Sequence, residues 1–278
     1  MSVDLPRLLQ VVQEAASRAE RAFKKGEFTV REKAKGDWVS TADAEVEAFL
    51  KKELSELYPQ AQFLGEEGGL SSAIIPQGLA QGPASLTWVV DPIDGTANFV
   101  RGIAHFCCVV ALVDANQEPV IGLIVDPCRE ESFWAVKGQG AWFNGRALAA
   151  TIDRPPMESL LAVVTPKPTS PIANALQLWL PGAVRSFGGI RRSGAMALDL
   201  AWLAAGRMDA FAGFDLDPWD VVAGSLLVRE AGGQYQDRTL RIHRNNSTGV
   251  RRIAAAAGQQ CLDALCALDG LVSNAAVR

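Results

Sequence analysis

The chain is poor in the side chains that most often carry covalent or redox chemistry. Two of its 278 residues are histidines, His105 and His243, which excludes a three-histidine zinc site. Of five cysteines, Cys107 and Cys108 are adjacent in an apolar run, and Cys128, Cys261 and Cys266 show no Cys-x-x-Cys spacing. That pattern fits buried thiols in a reducing compartment. Neither a Gly-x-Ser-x-Gly elbow nor a Gly-x-x-x-x-Gly-Lys phosphate loop is present, so the strongest marks of serine hydrolases and P-loop enzymes are missing. Basic excess is absent as well: 27 Lys and Arg stand against 31 Asp and Glu, a net charge of −4, which argues against a nucleic-acid partner. No apolar run reaches the roughly 18 residues of a membrane span, and Met1 to Leu9 lacks a basic-then-apolar leader pattern. A soluble, cytoplasmic protein without membrane contact is expected. What the chain has in quantity is carboxylate, on an ordinary globular composition of 49% hydrophobic and 21% charged residues.

The length suits two domains or one large layered one. Leu5, Leu8, Leu9, Val12, Ala16, Ala19 and Phe23 recur at helical spacing and predict an amphipathic helix ending near Gly26. A second helix follows Ser40-Thr41, with Val46, Phe49, Leu50, Leu54 and Leu57 as its buried stripe and Pro59 beyond its end. Lys33 to Ser40 reads as a loop or short hairpin. The Gly/Pro/Ser-rich stretch from Gly65 to Ser85 reads as a mobile surface loop. Leu86–Val90 predicts a buried strand stopped by Asp91-Pro92, and Phe106–Val113, Pro119–Asp126 and Glu131–Val136 predict three more. From about Asp153 the texture changes. Leu160–Val164 and Asp209–Phe214 read as strands, and Asn174–Trp179 and Ala195–Ala205 as helices. Trp219–Ala231 is a helix apolar nearly all round, so it should lie between layers. The expected division is an N-terminal α+β half, residues 1–152, and a C-terminal α/β half, residues 153–278.

Carboxylates cluster at four places. Asp91-Pro92-Ile93-Asp94-Gly95-Thr96 sets two of them three residues apart at a strand's end, where they can bind hard cations through oxygen or serve only as turn and cap residues. Gly95 and Thr96 would turn backbone N–H groups toward an anion. Glu66-Glu67 lies among Gly65, Gly68 and Gly69, either as further ligands and a base for water or as a solvated acidic turn. Asp217-Pro218-Trp219-Asp220 begins the apolar helix. A capping box is one reading of Asp220, and a buried carboxylate that needs a cation is the other. Thr41-Ala42-Asp43, preceded by Lys35, reads as a helix start.

At these residues the chain resembles the inositol monophosphatase family of metal-dependent sugar-phosphate phosphatases. The resemblance runs through Trp88–Phe99, Trp219-Asp220 with Val221-Val222-Ala223-Gly224, Gly65-Glu66-Glu67, and the hairpin Lys137–Ala141 with Asn144-Gly145. It implies a layered α-β-α-β-α sandwich of the inositol monophosphatase and fructose-1,6-bisphosphatase type. It also implies two to three Mg²⁺ ions, with Mn²⁺ as a substitute. One site would be Glu66, Asp91 and the carbonyl of Ile93, and another Asp91, Asp94 and Asp220. Phosphate would meet Asp94, Gly95, Thr96, Gly194 and Ala195, while Glu66, Thr96 and Asp43 serve catalysis. The implied reaction is hydrolysis of inositol 1-monophosphate or a related small polyol or sugar phosphate, without a phosphoenzyme, sensitive to lithium and carried out by a homodimer; the apolar Phe99–Val113 segment reads equally as core or as part of that interface. One position departs. Gly213 stands seven residues before Asp220, where inositol-phosphate enzymes carry a glutamate for sugar hydroxyls. That leaves open histidinol phosphate, fructose 1,6-bisphosphate or 3′-phosphoadenosine 5′-phosphate as substrate, with Asp215, Asp217 and Trp38 as other neighbours of the entrance. A non-catalytic regulatory protein on the same fold is the alternative of a different class.

Overall fold

The computed structural model describes residues 3–34, 37–68, 86–149, 152–166, 170, 173, 176–241 and 249–275. The predicted loop after Gly68 and His243 lie outside them. Helix α1 (Leu5–Lys25) starts on Asp4, whose carboxylate accepts the Arg7 N–H at 3.1 Å, and stops at Gly26 in the left-handed conformation. A hairpin of β1 (Val30–Ala34) and β2 (Asp37–Ser40) leads into α2 (Thr41–Leu57), which Ser40 and Asp43 cap reciprocally. There follow β3 (Gln62–Gly65), β4 (Thr87–Asp94), α3 (Thr96–Val100), β5 (Cys107–Val113), β6 (Pro119–Asp126), β7 (Glu131–Val136), β8 (Ala141–Phe143) and β9 (Arg146–Ala147). These seven strands form one sheet in sequence order, parallel between β3 and β4 and antiparallel elsewhere.

The second sheet alternates with helices. Its elements are β10 (Leu160–Val164), α4 (Leu176–Ser186), β11 (Gly189–Arg191), α5 (Met196–Ala204), β12 (Ala210–Phe214), α6 (Pro218–Glu230), β13 (Gln234–Arg241) and β14 (Gly249–Ala256), with α7 (Gln259–Ala275) last. The strand order is β11-β10-β12-β14-β13, with β10, β11 and β12 parallel. Helices α1 and α2 cover one face of the seven-stranded sheet through Leu8, Val12, Leu50 and Leu54 against Trp88, Val90 and Val110. Helices α5 and α6 fill the space between the sheets, in the core that joins Val109 and Phe133 to Phe211 and Ile253. Helices α4 and α7 cover the outer face through Trp179, Leu262 and Leu265. The architecture is therefore the expected α-β-α-β-α sandwich, and the all-apolar helix lies in its middle layer.

Two predicted boundaries move. The strand at Leu86–Val90 is not stopped by Asp91-Pro92. It runs on to Asp94, with its pairing to β5 interrupted between Asp91 and Asp94 because proline has no N–H to pair. The helix expected at Asn174–Trp179 is α4, which continues through Pro181 to Ser186. The strands β3, β11, β13 and β14 and the helix α7 come in addition to the elements expected from the chain.

Close packing between layers rests on glycine at two points. A Cβ at Gly122 of β6 would stand 2.9 Å from the carbonyl oxygen of Ala223, and one at Gly224 of α6 would stand 2.6 Å from Leu200. Gly122→Ala must lift α6 off the sheet. We expect a loss of about 1–3 kcal/mol, the usual range for overpacking, read as a lowered midpoint of urea unfolding at unchanged slope.

Candidate active site

The four carboxylates arrive from three directions. Asp91 and Asp94 stand at the end of β4, Glu66 follows β3, and Asp220 lies in the first turn of α6. Parallel β3 and β4 end side by side, with the Glu66 N–H donating to Val90 O at 3.1 Å. The approach of β3 to α2 needs a glycine: a Cβ at Gly65 would overlap the carboxylate of Glu47. Glu47 in turn accepts the Glu67 N–H at 2.8 Å and fixes the acidic turn.

Each carboxylate is already oriented by the fold. Asp91 accepts the N–H of Ile93 at 3.0 Å. Asp94 accepts the N–H groups of Met196 and Ala197 at 3.1 and 2.8 Å, the free donors at the start of α5. Asp220 accepts the N–H of Asp217 at 2.8 Å, so the capping box is real and Asp220 is buried as well. Asp43 Oδ2 is held by the Ser40 N–H and hydroxyl at 2.8 and 2.6 Å. The Thr96 hydroxyl lies 3.3 Å from Asp43 Oδ1 and 3.0 Å from the carbonyl of Ile93. Asn98 ties the site to the second sheet, its amide donating to His105 O at 2.8 Å and to Ser193 O at 3.0 Å. Gly194 and Ala195 thereby pack against Gly95, which has φ +96° and room for no side chain there.

The electrostatics are those of unneutralised buried charge. Burial, then repulsion from Glu66, Asp94 and Asp220, pushes Asp91 well up. Burial, then Asp94 and Glu66, does the same to Asp220. Burial raises Asp94 to about 6 against the opposing pull of the Ala197 and Met196 amides. Burial raises Glu66 to about 7 although Lys33 opposes it. Lys33 is the cation that answers this charge, 3.2 Å from Glu66 and 2.5 Å from Glu67. Burial pulls its ammonium down, but the two glutamates outweigh that and leave it raised. Cys107 donates to Asp94 at 3.5 Å, and burial beside Asp94 and Asp91 holds its thiol protonated, so it is no nucleophile.

Among the described residues these carboxylates are not closed around one point as three or more ligands. Glu66 is drawn to Lys33, and Asp94 to the α5 amides. The donor set nonetheless fits hard divalent cations: it is all oxygen, buried, and its members repel one another for want of positive charge. The sign for stability follows. A carboxylate raised in the folded state binds its proton more tightly there than in the unfolded chain, so stability is greatest below about pH 4 for these groups and falls as pH climbs toward 7. With chelator present, the melting temperature should fall between pH 5 and 7.5. Added Mg²⁺ should raise it more at pH 7.5 than at pH 5, and equal shifts at both would contradict this account.

The fold therefore gathers Asp43, Glu66, Asp91, Ile93, Asp94, Gly95, Thr96, Gly194, Ala195 and Asp220 around one place. Lys35 lies outside the described residues, and Lys33 reaches the acidic turn. Glu47 belongs to none of the motifs of the chain, and Asn98 stands in the Trp88–Phe99 motif without a role of its own there. Glu47 had a signal, since Asp43, Val46, Glu47, Leu50 and Leu54 follow one helical stripe and a carboxylate on a buried stripe needs a reason. Asn98 bonds across 95 residues to Ser193, which no local pattern shows.

Comparison with known proteins shows the family. A model of the inositol monophosphatase family matches residues 5–269. The chain belongs to the inositol monophosphatase family. Relatives within reach include the Nus factor SuhB of Xylella fastidiosa, 40% identical over 75% of this chain and 72% of that protein. The inositol-1-monophosphatase of Caulobacter vibrioides is 37% identical over 80% and 86%. The crystal structure of the extragenic suppressor protein suhB of Bartonella henselae superposes with a TM-score of 0.81 at 33% identity, covering 96% of this chain and 98% of that one. Among the described residues no helix is long and apolar enough to cross a membrane, and all five cysteines are free thiols, Cys107, Cys108 and Cys261 buried.

Proposed function

We propose that this chain hydrolyses a phosphate monoester, inositol 1-monophosphate or another small polyol or sugar phosphate, with Mg²⁺ or Mn²⁺ held by Glu66, Asp91, Asp94, Asp220 and the carbonyl of Ile93. The observation that carries this reading is that Asp91, Asp94 and Asp220, all buried, and the partly buried Glu66 lie near enough to repel one another. Such ions, when bound, neutralise phosphate charge and supply hydroxide near neutral pH. The chain's own residues do the rest. The amides of Gly95 and Thr96 open α3 toward the phosphate, and Gly194 and Ala195 close its far side. The Thr96 hydroxyl has one proton and two acceptors. When it donates to Asp43, its oxygen can take a proton from the attacking water as its own proton passes to the Asp43 carboxylate, and Asp43, anchored by Ser40, keeps that orientation. The carboxylates are taken up as cation ligands and the Cys107 thiol stays protonated, so attack by water in a single step, without a phosphoenzyme, is the reading.

Gly213 bears on the substrate. It lies buried in β12, where a Cβ would stand 2.4 Å from Leu216 and 2.9 Å from the Phe211 ring. Leu216 fills the space where a hydroxyl-binding carboxylate would start, and Asp215 is exposed while Asp217 caps α6. Measuring kcat/KM over inositol 1-phosphate, histidinol phosphate, fructose 1,6-bisphosphate and 3′-phosphoadenosine 5′-phosphate identifies the ester. Inhibition by millimolar Li⁺ is expected, and a homodimer by sizing chromatography. Release of phosphate undiminished by chelator would refute the metal-dependent reading. Because some relatives carry the name of a factor, a second reading is a non-catalytic role on the same fold; Asp91→Asn supporting the full cellular function would establish it.

A further inference from the structure

How Asp220 is aimed depends on how the chain leaves β12, and that exit is held by one residue of the neighbouring strand, Arg251, through its backbone carbonyl and its guanidinium. Asp215 adopts φ +61°, a conformation that residues other than glycine rarely take. Its N–H donates to the carbonyl of Arg251 in β14 at 2.9 Å. The Arg251 guanidinium then donates through Nη1 to the carbonyl of Leu216 at 3.2 Å, and through Nε and Nη2 to Asp237 Oδ2 at 3.0 and 2.7 Å. One residue later the Asp217 N–H meets Asp220 Oδ2. Both residues of the turn are thus fastened to Arg251, and Arg251 is braced by Asp237 of β13. The pair is partly exposed, at 31% and 39%, and an ion pair in that setting contributes little to global stability. Only a planar fork can meet Asp237 and the Leu216 carbonyl together, which lysine cannot reproduce.

We propose that Arg251 is a positioning residue for Asp220, holding the Asp215–Asp217 turn in the conformation that presents this carboxylate to a divalent cation. Its consequence for catalysis rests on the phosphatase reading above; its consequence for the turn does not.

The test uses the full chain with Arg251→Gln, Arg251→Lys, Asp237→Asn and the Arg251→Gln/Asp237→Asn pair. Calorimetric titration with Mg²⁺ alone, hydrogen exchange by mass spectrometry, and kcat and KM for p-nitrophenyl phosphate are the three readouts. Arg251→Gln should weaken Mg²⁺ binding about 10–100-fold, the usual cost of losing a group that orients a ligand, and lower kcat by a similar factor. Exchange should quicken in peptides covering residues 214–220 and stay unchanged in β5 and β6. Arg251→Lys should behave like Arg251→Gln, and the double variant should be no worse than the single one. Unchanged exchange at residues 214–220 overturns the proposal, as does a uniform quickening across the molecule. Unaltered Mg²⁺ affinity in a protein that binds Mg²⁺ overturns it too. If the unaltered protein hydrolyses no ester, the phosphatase reading fails, and exchange and calorimetry still decide the role of Arg251.

Discussion

Asp220→Asn should lower phosphate release by about a thousandfold, roughly 4 kcal/mol of transition-state stabilisation, while the chain remains folded. Asparagine keeps an acceptor for the Asp217 N–H, so the cap on α6 survives and only the charge is lost. In chelator the variant should melt at or above the temperature of the unaltered protein, because burial makes the ionised Asp220 unfavourable in the folded state. The rise in melting temperature on adding Mg²⁺ should shrink at the same time. Asp94→Asn should be equally inactive but less stable, since an amide can accept only one of the two N–H groups that α5 directs at Asp94. Phosphate assay and differential scanning fluorimetry with and without Mg²⁺ check both. Activity of Asp220→Asn within tenfold of the unaltered enzyme would remove Asp220 from the chemistry.

The largest loss of stability is expected away from the site, at Asp269. Arg252 of β14 is fully buried, and its Nε donates to Asp269 of α7 at 2.9 Å. A further donor goes to the carbonyl of Ile253, and the guanidinium lies 4.5 Å from the centre of the Phe214 ring. Trp179 of α4 donates to the same Asp269 oxygen at 3.1 Å. Asp269→Ala therefore strands a buried cation and an indole N–H together. The cost should be about 3–5 kcal/mol, against less than about 1 for a surface pair. For a chain of this size, at about 2.1 cal/mol/K of unfolding entropy per residue, that lowers the melting temperature by roughly 5–9 °C. Arg252→Met combined with Asp269→Leu should recover most of the loss, because burying the charges was itself costly. A double variant no better than Asp269→Ala would mean that the pair is held by more than compensation of charge.

Much of the site could be read in the chain because its carboxylates sit where local rules make them odd. Asp91 and Asp94 flank a proline at the end of an apolar strand, Glu66 lies among glycines, and Asp220 begins a helix with no polar face. The bland readings were partly right as well. Asp43 and Asp220 do serve capping boxes, so a carboxylate that starts a helix also belongs to the candidate site. Lys33, Glu47, Asn98 and Arg251 were hidden because each acts on a partner brought near only by folding.

Sequence alone determined the layers' main elements and the oxygen-rich chemistry, since these depend on periodicity, residue type and short spacing; that Gly213 stands where a carboxylate is expected came only from the resemblance to the family. Tertiary structure decided which charges meet. Three chain segments converge on β4 only when parallel β3 and β4 end together and α5 and α6 are pressed between two sheets, and their carboxylates then share a buried volume with too little positive charge. That shortage arises from distance and burial in three dimensions, which no order of residues displays.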